Sequence, residues 1–161
     1  RGGSAALYAL PWYIIVGPPA AGKTTAIRHS GLVFPLQEAA TATAFRGVGG
    51  TRNCDFWFTN EAILLDTAGR YSTGAAEGAD REEWHAFLDV LRRFRPRRPV
   101  NGVLVAIALP DLAAAPEEAL RAKARELRAR VDEISTRLRT QVPVYVLFTK
   151  VDLVAGFVET W

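Results

Sequence analysis

The sequence predicts a mixed α/β fold, a mostly parallel sheet with helices on both faces and one antiparallel edge strand. Three observations carry that expectation. Short apolar runs alternate with stretches of helical periodicity along the whole chain. Two of the runs lie so close together that only a tight antiparallel connection can join them. The later runs are continuously apolar, as in strands covered on both faces.

The elements follow in order. RGGSAALYAL, residues 1–10, reads as a flank or linker, and the domain is expected over 11–161. WYIIV (12–16) is a buried strand that ends in the glycine loop GPPAAGKTT, and a short helix is expected from Lys23. CDFWFT (54–59) and AILLD (62–66) form the antiparallel pair. In REEWHAFLDVLRRF, Trp84, Phe87, Leu88 and Leu91 repeat at i, i+3, i+4, i+7 and mark one buried helix face. GVLVAIAL (102–109) and VYVLFT (144–149) read as central strands. Between them a helix starts at Pro116, with acids in its first turn. Its seam is Leu120, Ala124, Leu127, Val131, Ile134 and Leu138. Such a seam fits a crossover helix lying on its own sheet, or a partner coiled coil.

Composition narrows the function classes. With 161 residues, 49% hydrophobic and 23% charged, the chain supplies the core of one globular domain. No run of 18 apolar residues is present, and the first residues lack the apolar region of a signal peptide. The absence of methionine leads us to expect a piece of something longer. Cys54 stands alone, so no internal disulfide can form, which suits a reducing compartment. One Cys with His29 and His85 offers no zinc-type cluster. The net charge is +3, and the densest basic run is RRFRPRR, Arg92–Arg98. That run reads as a solvated helix end leading into a proline-rich loop, or as a nucleic-acid patch; without an aromatic stacking platform, no nucleic acid is expected.

The loop after the first strand matches G-x-x-x-x-G-K-[ST], with Gly17, Gly22, Lys23 and Thr24. Each residue type has a task in phosphate binding. The glycines let the backbone curl so that successive amides, from Ala20 and Ala21 through Thr25, point at one anion. Lys23 reaches the β- and γ-phosphate oxygens, and the Thr24 hydroxyl ligates Mg²⁺. The start of the following helix adds its positive dipole end. Two further motifs end strands. LLDTAG places Asp66 to hold Mg²⁺ through water and the Gly69 amide to meet a γ-phosphate. FTKVD carries Thr149, Lys150 and Asp152. The Asp152 carboxylate can accept two hydrogen bonds from the N1 and N2 edge of guanine, and the Lys150 stem can lie flat on a base. Only three lysines occur against 17 arginines, and two of the three, Lys23 and Lys150, fall in these motifs. FRGVGGTRNCDFWF precedes Asp66; its Thr51 stands where GTPases take a second Mg²⁺ ligand, and its glycines also fit an ordinary loop.

LPWYIIVGPPAAGKTT, GVGGTRNCDFWFTNEAILLDTAGRY, RPRRPVNGVLVAIALPDL and PVYVLFTKVDLVAGF together resemble the cytoplasmic domain of IcmF/TssM proteins, the large inner-membrane components of bacterial type VI secretion systems. The likeness runs from about Leu10 to Trp161. It implies a three-layer P-loop NTPase fold of the Ras-like kind, held on the cytoplasmic side of the inner membrane by segments outside these residues. It implies membrane-complex and baseplate proteins as partners. The nucleotide motif carries over to Gly17–Thr24, the magnesium motif to Asp66–Gly69 and the base motif to Thr149–Asp152. Two positions depart from Ras-like enzymes. Arg70 stands where a glutamine orients the attacking water, so intrinsic hydrolysis should be slow. Thr149 replaces the asparagine of the base motif.

Two functions stay open on the sequence. One is hydrolysis of Mg·GTP or Mg·ATP, with Lys23, Thr51 and Arg70 as the catalytic candidates and Thr24, Thr51 and Asp66 as metal ligands. In it Arg70, like Arg46 and Arg52, would stabilise transition-state charge or sit as a plain surface arginine. The other is a docking module that binds nucleotide or partners without turnover.

Overall fold

The computed structural model describes residues 7–35, 54–72 and 78–157. Its framework is a five-stranded sheet: β1 (Trp12–Val16), β2 (Cys54–Phe58), β3 (Ile63–Thr67), β4 (Gly102–Ala108) and β5 (Val144–Thr149), in the order β2-β3-β1-β4-β5. β2 runs antiparallel to β3, and the other neighbours are parallel. The β2–β3 connection is the tight turn that the spacing requires. The Thr59 amide donates to the Ala62 carbonyl at 3.0 Å, and the Thr59 hydroxyl accepts from the Ala62 amide at 2.8 Å.

Helices lie on both faces. Ile14, Val16, Leu65, Val103 and Val105 pack against α2 (Ala79–Phe94) and α4 (Glu117–Leu138). Trp84, Leu88 and Leu91 are the buried stripe of α2, and Leu127, Ile134 and Leu138 that of α4. The seam of α4 therefore lies on its own sheet, as a crossover helix does, although Ala124 near its start is exposed. On the opposite face Ile15, Leu64 and Ala106 meet Trp57 and Ile27 of α1 (Lys23–Arg28). A short helix, α3 (Leu109–Ala114), follows β4 directly. The alternation of Ile14 and Val16 against Ile15 is the two-residue period of a strand buried on both sides.

Three expectations change. β5 pairs only with β4 among the described residues, and Val144, Val146 and Phe148 are 45%, 54% and 51% exposed. An apolar run reports what a strand's side chains are, whereas its neighbours are fixed by the order of the crossovers. The boundary expected at residue 10 also moves, because Leu10 packs on the core and the Tyr8 hydroxyl accepts from the Arg97 amide at 3.3 Å. The basic run is interrupted as a surface feature: Arg95 is 1% exposed, stacked 4.6 Å from the Trp12 ring and 4.9 Å from that of Tyr8.

The helices α2 and α4 are joined by a polar cluster beside their apolar contact. Glu133 accepts from the Trp84 indole at 3.1 Å and pairs with His85 Nε2 at 2.7 Å and Arg130 at 2.9 Å. Arg137 donates to His85 Nδ1 at 2.8 Å, so the imidazole carries its proton on Nε2 and gives it to Glu133. Burial pushes the Glu133 carboxyl up, but the His85 hydrogen bond, the Arg130 charge and the indole outweigh it and hold it below the usual range. Glu133→Ala strands the indole proton and should cost about 1–3 kcal/mol in urea unfolding at pH 7. A depressed acid contributes stability above its unfolded value, about pH 4.3, and loses it as the pH falls through the lower folded value. The gap between the wild type and this variant should therefore close in that acid window.

Candidate phosphate and cation site

The loop between β1 and α1 is shaped by contacts that leave little choice of residue. A Cβ on Gly17 would stand 2.5 Å from the Ala106 carbonyl oxygen of β4, so the backbone passes there only without a side chain. The Gly17 amide donates to Ser72 Oγ at 2.9 Å. The Ala21 amide closes a turn on the Pro18 carbonyl at 3.2 Å. Ala20 and Gly22 then take left-handed conformations, φ 61° and 77°, which for Ala20 costs about 1 kcal/mol. Gly69 lies under the loop, where a Cβ would come within 2.5 Å of Pro19 Cα. From the far side Thr149 donates its hydroxyl to the Ala21 carbonyl at 2.6 Å.

These contacts frame a cleft of about 420 Å³ lined by residues 19–25 together with Asp66, Thr67, Gly69 and Lys150. The expected set Ala20, Ala21, Gly22, Lys23, Thr24, Thr25, Asp66, Gly69 and Lys150 is thus brought to one place. Gly17 and Thr149 act behind the lining, as the floor and a brace. Asp152 is exposed in the turn Val151–Leu153 and does not line the cleft. Thr51, Arg46 and Arg52 lie outside the described residues.

Of the two readings of Arg70, a stabiliser of transition-state charge or a plain surface arginine, its position bears on the first. Its guanidinium pairs with Asp80 at 2.8 Å and Glu83 at 3.0 Å and lies 4.6 Å over the Tyr71 ring, outside the cleft lining. The reason is local. Gly69–Ser72 forms a 3₁₀ turn whose Tyr71 is buried in the α2 face of the core, and this turns Arg70 toward the acids in the first turns of α2.

The electrostatics of the cleft are those of unmatched charge. Lys23 is 8% exposed, and its ammonium donates to the Gly17 carbonyl at 2.8 Å and the Pro18 carbonyl at 3.0 Å. Burial lowers its pKa, with Asp66 opposing. Asp66 is fully buried at the end of β3. Its Oδ2 accepts from the Thr24 hydroxyl at 2.5 Å, while its Oδ1 is buried without a hydrogen-bond partner among the described residues. Burial raises the Asp66 pKa, against the opposing effects of Thr24 and Lys23. A buried carboxylate oxygen left bare costs free energy that a hard cation can return, and a hydroxyl and a carboxylate in contact are ligands of the type Mg²⁺ takes. The residues present fit that ion.

Two residues escaped the sequence reading. Ser72 braces Gly17 across 55 positions, and no local pattern marks it. Asp55 stands directly opposite Asp66 in the β2–β3 pair; the tight turn at Thr59–Ala62 sets that register and could have revealed it.

A family model described as the IcmF-related N-terminal domain matches residues 77–161, more than half of the chain. The type VI secretion system component TssM1 of Pseudomonas aeruginosa strain PAO1 is 53% identical over 154 residues. That alignment covers 95% of this chain and 14% of the relative, so the chain spans about a seventh of that protein's length. Among solved structures, the ADP ribosylation factor-like GTP binding protein/small COPII coat GTPase SAR1 from Encephalitozoon cuniculi, in complex with GDP, aligns at 16% identity. It covers 90% of this chain and 71% of that one with a TM-score of 0.33, too loose a likeness to bear on the fold. The sequence matches alone decide the family: this chain belongs to the IcmF/TssM family and carries its IcmF-related N-terminal domain.

Proposed function

We propose that the cleft seats the phosphates of Mg·GTP or Mg·ATP, and that the domain is the GTPase-like part of a type VI secretion membrane-complex protein. Slow or partner-dependent hydrolysis would regulate or energise assembly of the secretion apparatus. On this reading the fold is the three-layer P-loop NTPase kind, with the antiparallel β2 at its edge. The strand order, the loop after β1 and the DTAG turn after β3 support it. The observation that carries the proposal is the buried Oδ1 of Asp66, without a hydrogen-bond partner among the described residues, beside Thr24 and Lys23.

In this reading Thr24 and Asp66 hold the magnesium, with Thr51 as a further ligand candidate, and the bound ion supplies charge neutralisation at the β- and γ-phosphates. Lys23 moves its ammonium from two carbonyls to phosphate oxygens. The Gly22–Thr25 amides, at the open end of α1, and the Gly69 amide donate to the same anion. Lys150 lines the base end of the cleft, and Asp152, one turn on, reads guanine. The protein works on the cytoplasmic side of the bacterial inner membrane, where its partners are the other membrane-complex and baseplate proteins. The 53% identity to a type VI secretion system component supports the secretion setting. No helix among the described residues is long and apolar enough to cross a membrane.

Titration calorimetry with GTP and ATP, each with and without Mg²⁺, tests the reading. We expect Mg²⁺-dependent binding that favours GTP, and loss of that preference, by about tenfold, in Asp152→Ala. Absence of binding to either nucleotide at millimolar concentration rejects it. A second reading, a docking module without turnover, draws on the Arg70 clamp, which keeps that guanidinium on Asp80 and Glu83. Phosphate release measured with and without the partner proteins decides between them, since the docking module releases none in any mixture.

A further inference from the structure

The end of the sheet where β1, β4 and β5 begin carries charge of one sign. α2 and α4 both finish there, with Arg92 of one helix donating to the Arg137 carbonyl of the other at 3.5 Å. The loop after α2 meets β1, the Asn101 amide donating to the Trp12 carbonyl at 2.7 Å. The chain has no acid from Val90 to Pro110, and none again from Ile134 to Val151. The acids that the topology brings to this end are Asp89, paired with Arg137 at 2.7 Å, and Glu61 in the turn before β3. Those at the start of α2, Asp80, Glu82 and Glu83, stand about 16 Å or more up its axis from Phe94. Arg93, Arg97, Arg98 and Arg139 are exposed, and among the described residues none of the four is in an ion pair.

Two apolar side chains share this surface. Phe94 is 67% exposed and Val90, four positions before it on the same helix face, 49%. The loop behind them is fixed from within: Arg95 is buried against the rings of Tyr8 and Trp12, and the Arg97 amide donates to the Tyr8 hydroxyl at 3.3 Å. It therefore presents Arg97 and Arg98 without first having to be ordered. The negative end of the helix dipole accounts for Arg92 and Arg93 in the last turn of α2. It accounts neither for Arg97 and Arg98, which lie beyond the helix, nor for the exposed Phe94.

We propose that this end of the domain docks on an anionic lipid surface, with Arg93, Arg97 and Arg98 at the headgroup phosphates and Phe94 in the interface below them. Arginines ringing an exposed apolar pair are the chemistry of such a surface, where charge attracts and the apolar group is buried on contact. A nucleic acid fits less well: Arg95 already takes up the rings of Tyr8 and Trp12, and the Val90–Phe94 pair offers a phosphate backbone nothing. The phosphate cleft lies at the opposite end of the sheet, beyond the carboxyl ends of β1 and β3, so docking would leave it turned toward the water. The inference draws on charge and exposure alone, and does not depend on nucleotide binding.

Co-sedimentation with vesicles tests it, using equal parts phosphatidylcholine and phosphatidylglycerol, and phosphatidylcholine alone. We expect binding to the mixed vesicles only, weakening as the ionic strength rises from about 0.01 M to 0.15 M and the Debye length shortens from about 30 Å to 8 Å. Arg97→Gln combined with Arg98→Gln should lower the partition coefficient about thirtyfold, or about fivefold per charge. Phe94→Ser should lower it about fivefold at every ionic strength, because apolar burial is not screened. Arg125→Gln, which removes an equal charge from an exposed position on α4, should bind as the wild type does. Circular dichroism verifies that each variant is folded. No binding to the mixed vesicles at low ionic strength overturns the proposal, as does a folded double variant that binds like the wild type. An Arg125→Gln loss as large as that of either patch arginine would also overturn it, by making net charge the cause. Tighter binding to a short DNA duplex than to vesicles, lost in the double variant, would give the patch to nucleic acid instead.

Discussion

Lys23→Ala is expected to lower the affinity for Mg·GTP or Mg·ATP at least a hundredfold, about 2.7 kcal/mol, with the far-ultraviolet circular dichroism unchanged. The ammonium is 8% exposed and sits on the Gly17 and Pro18 carbonyls, so it is already inside the loop that would curl around the phosphates. Moving it onto phosphate oxygens replaces two neutral acceptors by charged ones in a partly desolvated cleft, where charge-assisted hydrogen bonds are strongest. Burial lowers its pKa, against the opposing charge of Asp66, so the charged form is less favoured there than in water. A triphosphate beside it would favour the charged form. Calorimetry on the wild type and the variant measures the loss. An affinity within about threefold of the wild type would remove this cleft as a phosphate seat.

Asp66→Asn is expected to do two opposite things. It should abolish the Mg²⁺ dependence of nucleotide binding, and it should stabilise the nucleotide-free protein by about 1–2 kcal/mol at pH 7. Asn keeps a carbonyl oxygen for the Thr24 hydroxyl, which now bonds the carboxylate at 2.5 Å, and removes a buried charge whose Oδ1 has no hydrogen-bond partner among the described residues. The pH dependence has a definite sign. Burial raises the Asp66 pKa, so the folded protein binds this proton more tightly than the unfolded chain does. That contribution is complete below the unfolded value, about 3.9, and is lost as the pH rises through the raised folded value. The wild type and the variant should therefore be close in stability near pH 4 and diverge toward pH 7. Urea unfolding in EDTA at several pH values reads the divergence, and added Mg²⁺ should narrow it in the wild type alone. A variant less stable than the wild type at pH 7 would mean that Asp66 is satisfied in some other way.

Both predictions concern residues that were visible in the sequence, and the reason is instructive. Gly17, Gly22, Lys23 and Thr24 lie within eight positions, so their geometry is local: a strand end, a turn with left-handed residues and a helix start. Chain connectivity alone brings them together. The β2–β3 pair was legible for the same reason, since a four-residue turn leaves one way to fold back. The buried faces of α2 and α4 followed from periodicity.

What failed to be legible depends on long-range placement. VYVLFT has the composition of a central strand, yet β5 lies at the end of the described sheet, because sheet order is set by crossovers and not by composition. Arg70 follows the DTAG turn and so looked like a neighbour of the γ-phosphate. The burial of Tyr71 against Trp84, with ring centroids 5.6 Å apart, rotates the turn and hands the guanidinium to α2. Thr149 looked like a base contact; its hydroxyl instead holds the Ala21 carbonyl across 128 residues.

The sequence by itself determined the kinds of group available, an ammonium, a hydroxyl and a carboxylate on strand ends, together with the family and the mixed α/β layout, because these rest on periodicity and on short-range geometry. Tertiary structure alone decided which of those groups meet, which are turned away and how much water each keeps. Those outcomes depend on pairs dozens of residues apart, and it is their desolvation, most of all that of the Asp66 oxygen with no hydrogen-bond partner among the described residues, that makes the motif a candidate site.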